Sequence, residues 1–281
     1  MRFLGIDLAW HVPPDRAANQ TGVVALEPSG TIVAGGWTVG IAATLAWIER
    51  EAAPDALVFV DAPLLVTNAR GQRRCETQVG QRYGRWKVSA NSTNRASPRL
   101  AGVGLLGELQ RRGWRYDDGL DGPPHAGRHV SECYPYTTIV GVEELGYEDE
   151  RPRYKRSPRG MAPDEFRRLR AAACDELIRR VAALAGADPP LDLRSHAVTA
   201  RLVDAPSPTD DRAYKAREDL LDAVLCGWSA ALWWRWGLQR SQVLGVDPAD
   251  PGRPAATIIA PARPEQRERW KHLRSAAPPA R

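Results

Sequence analysis

The chain has 281 residues, 43% hydrophobic and 26% charged, with a net charge of +5. That balance excludes a disordered or fibrous chain and suits one large domain or two small ones. No apolar stretch reaches the roughly 20 residues of a membrane-spanning helix.

Residues 2–9, 21–28 and 31–39 read as three meandering strands, with Ser29-Gly30 as a hairpin signal between the second and third. Residues 41–52 have helical spacing, and 56–62 form a fourth strand. Residues 63–97 are polar and basic, and read as the start of a loop-rich insertion extending to about 127. Within it a helix is expected from Pro98 to about Arg112, with Ser97 as N-cap. Residues 129–134 read as a fifth strand, 163–186 as a strong helix, and 193–203 as a short one. Thr209 could cap the last long helix, about 210–238. Residues 247–281 form a Pro/Arg-rich tail with a short β-like run, Ala256-Thr257-Ile258-Ile259, so the domain proper is expected to be 1–246. The order is that of an α/β domain of RNase H-like topology: a mixed five-stranded sheet, order 3-2-1-4-5, flanked by helices. That order sets the first strand beside the fourth.

Two strand-like apolar runs carry an acid where burial is expected. Asp7 interrupts Arg2-Phe3-Leu4-Gly5-Ile6-Asp7-Leu8-Ala9-Trp10, and Asp61 ends Ala56-Leu57-Val58-Phe59-Val60-Asp61. A buried carboxylate is costly unless it is paired, hydrogen-bonded or bound to a metal. Glu132 is a third candidate, in the fifth strand. Asp219 and Asp222, three apart on the last helix, share a face with Glu218 beside its apolar stripe. Converging acids need protons or cations, and an oxygen-only ligand set selects Mg2+ or Mn2+. The plainer readings are Asp219 and Glu218 paired with Lys215, Asp61 as a turn acid, and Glu132 at a solvent edge.

Charge is uneven along the chain. Residues 67–99 carry eight basic residues and one acid, 151–170 carry eight and two, and 115–150 carry nine acids and two arginines. Basic blocks beside acids suit a polyanionic substrate steered towards metal ions, or equally a solvated surface. Arg73, Arg74, Lys87, Asn91 and Arg95, near Tyr83 and Trp86, are candidates for phosphate contact and base stacking, the other reading being a loop folded over the sheet. Trp228, Trp233, Trp234 and Trp236 fit a core or a homodimer surface.

Gly5-Ile6-Asp7-Leu8-Ala9-Trp10, Val60-Asp61-Ala62-Pro63-Leu64, Arg74-Cys75-Glu76, Ser131-Glu132-Cys133-Tyr134-Pro135 and Asp219-Leu220-Leu221-Asp222-Ala223 occur in that order. In this the chain resembles the domain of unknown function 429 family, whose members are described as predicted nucleases of RNase H-like fold. The resemblance runs from about residue 3 to 236. It implies metal-dependent phosphodiester hydrolysis with Asp7, Asp61, Glu132 and Asp222 as ligands. RNase H-like nucleases often carry Glu where Asp61 stands, a departure that shortens that arm.

The expectation is therefore a Mg2+- or Mn2+-dependent, two-metal nuclease acting on nucleic acid, with Asp219 as an outer or substitute ligand. The rivals are an ATP-dependent phosphotransferase of related topology and a non-catalytic nucleic-acid-binding protein. Gly102-Val103-Gly104-Leu105-Leu106-Gly107 lacks the preceding strand of a dinucleotide site. His125, His129 and Cys133 have zinc-like spacing in a strand-like context, and His11 could assist proton transfer near Asp7. Cys75, Cys133, Cys174 and Cys226 form no CxxC pair, and the first apolar run is short for a signal peptide and contains Asp7. A cytoplasmic protein with reduced thiols and no membrane partner is expected.

Overall fold

A central sheet and one long helix laid on it carry the acidic residues. The computed structural model describes residues 1–10, 20–156, 160–246, 252 and 254–267. His11 and the basic end of the tail lie outside the described residues.

Strands β1 (Arg2–Asp7), β2 (Gln20–Leu26) and β3 (Ile32–Val39) form an antiparallel meander. Helix α1 (Gly40–Glu51) then crosses to β4 (Ala56–Val60), which lies parallel to β1. Two further parallel strands, β5 (Arg115–Tyr116) and β6 (Arg128–Glu132), complete a sheet of order β3-β2-β1-β4-β6-β5. The sheet therefore has six strands where five were expected, because the two-residue β5 adds an edge beyond β6. Its brevity and polar residues hid it from any periodicity reading.

The expected insertion is loop-rich but holds one α-helix more than expected. It contains α2 (Arg74–Tyr83) and α3 (Ala101–Arg111). Cys75, Val79 and Tyr83 are spaced four apart and fully buried, so α2 packs a complete stripe into the core. Helix α3 begins three residues later than expected. Ser97 closes a turn with Asn94 instead of capping the helix: Asn94 N–H donates to Ser97 Oγ at 3.1 Å and Ser97 N–H to the Asn94 carbonyl at 2.9 Å.

Helices α4 (Pro135–Gly141), α5 (Pro163–Ala182), α6 (Ala197–Asp204) and α7 (Asp211–Trp236) follow. Asp210, not Thr209, caps α7, its Oδ1 accepting from Ala213 N–H at 2.8 Å. The β-like run in the tail is displaced by two residues, to β8 (Ile258–Pro261). It pairs antiparallel with β7 (Ser241–Leu244), and both strands are buried throughout.

The core divides on the two faces of the sheet. Leu4, Ile6, Val23, Val58, Val60 and Val130 pack with Leu45, Ile48, Leu105 and Leu109 of α1 and α3. Phe3, Val24, Leu57 and Phe59 face the other way, against α7 with α2, α4 and α5 behind it. Helix α7 is buried from Glu218 to Trp233, so it acts as the molecule's central helix. Trp228 and Trp233 are fully buried and belong to this core. No helix among the described residues is long and apolar enough to cross a membrane.

Candidate metal centre

Strand register decides which acids can meet. Paired residues on parallel strands point to the same face, and successive residues alternate. Gly5 of β1 pairs with Phe59, on the α7 face, and Ile6 pairs with Val60, on the α1 face. Asp7 and Asp61 are the next residues along, so both point towards α7 from the carboxyl ends of adjacent parallel strands. The ladder continues to that point, with Asp61 N–H donating to the Ile6 carbonyl at 2.8 Å. Ligand sites in α/β sheets form at such strand ends.

Helix α7 reaches this row because glycines let it lie on the strands. A Cβ on Gly5 would sit 1.9 Å from the Ala223 carbonyl oxygen, and one on Gly22 would sit 2.0 Å from that of Asp219. Gly22 is the β2 partner of Asp7. The helix backbone thus contacts sheet backbone on both sides of Asp7, which brings Asp219 and Asp222 over it. One carboxylate oxygen from each of Asp7, Asp61 and Asp222 lies within 4.8 Å of the others. Among the described residues this is the one group of His, Cys, Asp or Glu so placed.

Two lysines partly neutralise the group. Lys155 pairs with Asp222 Oδ2, and Tyr154 donates its hydroxyl to Asp222 Oδ1 at 2.7 Å. Lys215 lies 2.9 Å from Glu218 and 2.7 Å from Asp219. Asp7, Asp61, Glu218, Asp219 and Asp222 thus face two ammonium groups, leaving three negative charges if all are ionised. Neither Asp7 nor Asp61 forms an ion pair among the described residues, and Asp219 Oδ2 is buried without a hydrogen-bond donor. At this spacing each unneutralised pair costs roughly 3.5 kcal/mol at an effective dielectric of 20.

The acidities record the excess. Burial, then the charge of Asp222, raises Asp7 well above the usual carboxylate range, with Lys155 opposing. Burial pushes Asp61 up to about 7 and Asp219 to about 6, the lysines opposing in each case. Burial alone would lower Lys155, but Asp222, Glu218, Asp7 and Asp61 together raise it. An all-oxygen donor set with surplus charge fits a hard divalent cation. Asp7, Asp61 and Asp222 would hold it, with Asp219 alongside.

Glu132, expected as a ligand, does not join this row. It pairs in register with Val60, so it points to the opposite face from Asp61, and Cys133 takes the next position in the row. Glu132 is bound by Arg73, with Nη1 donating to Oε2 at 2.7 Å and Nη2 to Oε1 at 2.6 Å. Its Oε2 also accepts from Leu64 N–H at 3.0 Å. Arg73 further donates to Glu76 at 2.8 Å, and Glu76 accepts from the Arg73 and Thr93 backbone. This buried network pins the loop that follows Asp61.

The expected phosphate contacts are dispersed. Arg73 is buried in that network, its guanidinium committed to Glu132 and Glu76. Tyr83 and Trp86 are fully buried, so neither can stack on a base. Lys87 pairs with Glu150 at 2.8 Å, and Asn91 Oδ1 accepts from Arg156 at 2.9 Å. Arg74 and Arg95 are exposed. Arg74 donates to the Val246 carbonyl at 2.8 Å and, with Asn68, Gln72 and Arg73, lines a cavity of about 460 Å3. Gly102, Gly104 and Gly107 lie within α3 with no strand leading in, and His129 meets the Ala126 carbonyl.

Tyr154 and Lys155 were missed as parts of the centre. Their segment reads from sequence only as part of a basic block, and nothing in its spacing connects it to α7.

A family model described as "Protein of unknown function (DUF429)" matches residues 5–243. No curated protein and no solved structure matches the chain.

Proposed function

The chain belongs to the DUF429 family, and we propose that its acidic centre makes it a divalent-metal-dependent nuclease with an RNase H-like core. The observation that carries this reading is the meeting of Asp7, Asp61 and Asp222 from three distant segments, with negative charge left over. The fold supports it through an antiparallel meander, parallel strands added beside β1, and an acidic helix laid across the strand ends.

Mg2+ or Mn2+ bound there supplies Lewis-acid activation of water and stabilisation of a departing phosphodiester oxygen. Asp7, Asp61 and Asp222 would hold it; Asp219, whose Oδ2 is buried without a hydrogen-bond donor, would be the remaining acceptor if a second ion bound. Tyr154 orients Asp222, and the Arg73–Glu132–Glu76 network fixes the loop after Asp61. Arg74, Lys87 and Arg95 are the exposed cations among the candidate residues and would be the ones to meet a polyanionic strand.

Incubation with labelled single-stranded, duplex and hybrid nucleic acids in Mn2+ tests the proposal. Cleavage is expected, falling by more than roughly 100-fold in Asp7→Asn and on chelation. No cleavage of any substrate, or cleavage undiminished in Asp7→Asn, would overturn it. Binding without turnover that survives both treatments would favour a non-catalytic nucleic-acid-binding role.

A further inference from the structure

The two oxygens of Asp222 have partners of different kinds. Oδ1 accepts from Tyr154, which is fully buried and anchored through its own carbonyl, the acceptor of the Tyr214 hydroxyl at 2.6 Å. Oδ2 is paired with the Lys155 ammonium. The Lys155 side chain is 19% exposed, against 0% for Asp222, so it reaches into the centre from the solvent side. Its ammonium also lies 5.3 Å from the ring centroids of both Tyr136 and Tyr154, within cation–π range. One oxygen of Asp222 is thus fixed by a fully buried neutral donor, while the other is held by a charge on a partly exposed side chain.

That held oxygen belongs to one of the three carboxylates that would share a cation. A single ammonium compensates Asp222 but leaves Asp7 and Asp61 without an ion-pair partner among the described residues. A divalent ion reaching all three acids exchanges one favourable contact for three, at twice the charge. A monovalent ion has no such advantage over the lysine.

We propose that Lys155 is a resident counter-cation: its ammonium holds Asp222 in the metal-free protein and is displaced towards solvent when a divalent cation takes that oxygen. The proposal rests on the metal-site reading above and adds a residue that sets metal affinity. Tyr154 keeps Asp222 oriented during the exchange.

Two readouts test this without any substrate. Calorimetric titration with Mn2+ compares wild type, Lys155→Met and Lys155→Arg. Mass spectrometry follows acylation of the Lys155 amine by an amine-reactive ester, with and without Mn2+, using Lys87 as the reference. Lys155→Met is expected to bind Mn2+ about tenfold tighter or more, because a charge beside the ion is removed. Lys155→Arg should stay near wild type. Acylation of Lys155, but not of Lys87, should rise several-fold on adding Mn2+. If wild type binds Mn2+ while Lys155 acylation is unchanged, or if Lys155→Met binds no more tightly, displacement is overturned and the metal site stands. If neither protein binds Mn2+, the metal site fails and this inference fails with it. Should Lys155→Met not fold, acylation of the wild-type protein decides alone.

Discussion

At the scale of single residues, Glu132 and Asp61 show how one step along a strand changes a side chain's role. Both lie at the carboxyl ends of neighbouring parallel strands and both are buried, at 3% and 6% exposure. Asp61 points to α7 and lacks an ion-pair partner, whereas Glu132 points away and is clasped by Arg73. Glu132→Gln is therefore expected to act on stability. Breaking a buried pair costs about 3–5 kcal/mol, towards the lower end here because Glu76 still compensates Arg73. Urea unfolding should show that loss while Mn2+ affinity in the folded protein stays within a few-fold of wild type. Unchanged stability with lost Mn2+ binding would make Glu132 a ligand after all. The sequence displayed Asp7 and Asp61 because polar groups inside apolar runs are conspicuous. It could not display the facing of Glu132, because register depends on where β4 and β6 align, and a one-residue slip reverses every side chain. Arg73 was read as a phosphate contact for the same reason: its partners are 3 and 59 residues away.

At the scale of elements, the centre exists because α7 lies on β1 and β2 without intervening side chains. Gly5→Ala tests that packing directly. The added methyl would meet the Ala223 carbonyl and Gly227 nitrogen, both backbone atoms that cannot rotate away. Overpacking costs typically about 1–3 kcal/mol and more where backbone must shift. A loss of at least about 3 kcal/mol in urea unfolding is expected, with weakened Mn2+ binding as Asp222 is lifted from Asp7. Wild-type stability and affinity in Gly5→Ala would contradict this account of how the helix is seated. Strands β1 to β4 and α7 were legible because their apolar patterns are strong, whereas the short β5 and β7 were not. Helix α2 was not: its stripe of Cys75, Val79 and Tyr83 is thin among basic neighbours, and Tyr83 spends its polar end on the Pro261 carbonyl and Gln242. The link between that helix and the chain's end is a tertiary contact, and local periodicity carries no trace of it.

At the scale of the whole molecule, most charge among the described residues is paired at the surface or in the buried Arg73–Glu132–Glu76 network, and the acidic centre is left undercompensated. Lys215 and Lys155, from elements 60 positions apart, bring two positive charges to five carboxylates. The weakened acidities of Asp7, Asp61 and Asp219 follow from that arithmetic and from burial, and they fix the sign of a pH effect. Each carboxyl holds its proton more tightly folded than unfolded, where it titrates near 3.9. Its contribution is therefore fully present below that value and is lost as pH rises through the folded pKa, about 6 for Asp219 and about 7 for Asp61. The loss is worth roughly 1.4 kcal/mol for each pH unit between the two values. Carboxylates whose acidity the surface arginines strengthen, such as Glu176 at about 2, titrate below this window.

Thermal unfolding of the chelator-treated protein from pH 5 to pH 8, with and without Mn2+, is the most direct test that these acids form an undercompensated cation site. Stability of the metal-free protein should fall across that range. Mn2+ at a hundredfold excess over its Kd should restore about 2.7 kcal/mol at pH 8, with a much smaller gain at pH 5, where protons already occupy the carboxyls. A flat pH profile together with a melting temperature indifferent to Mn2+ at pH 8 would contradict it.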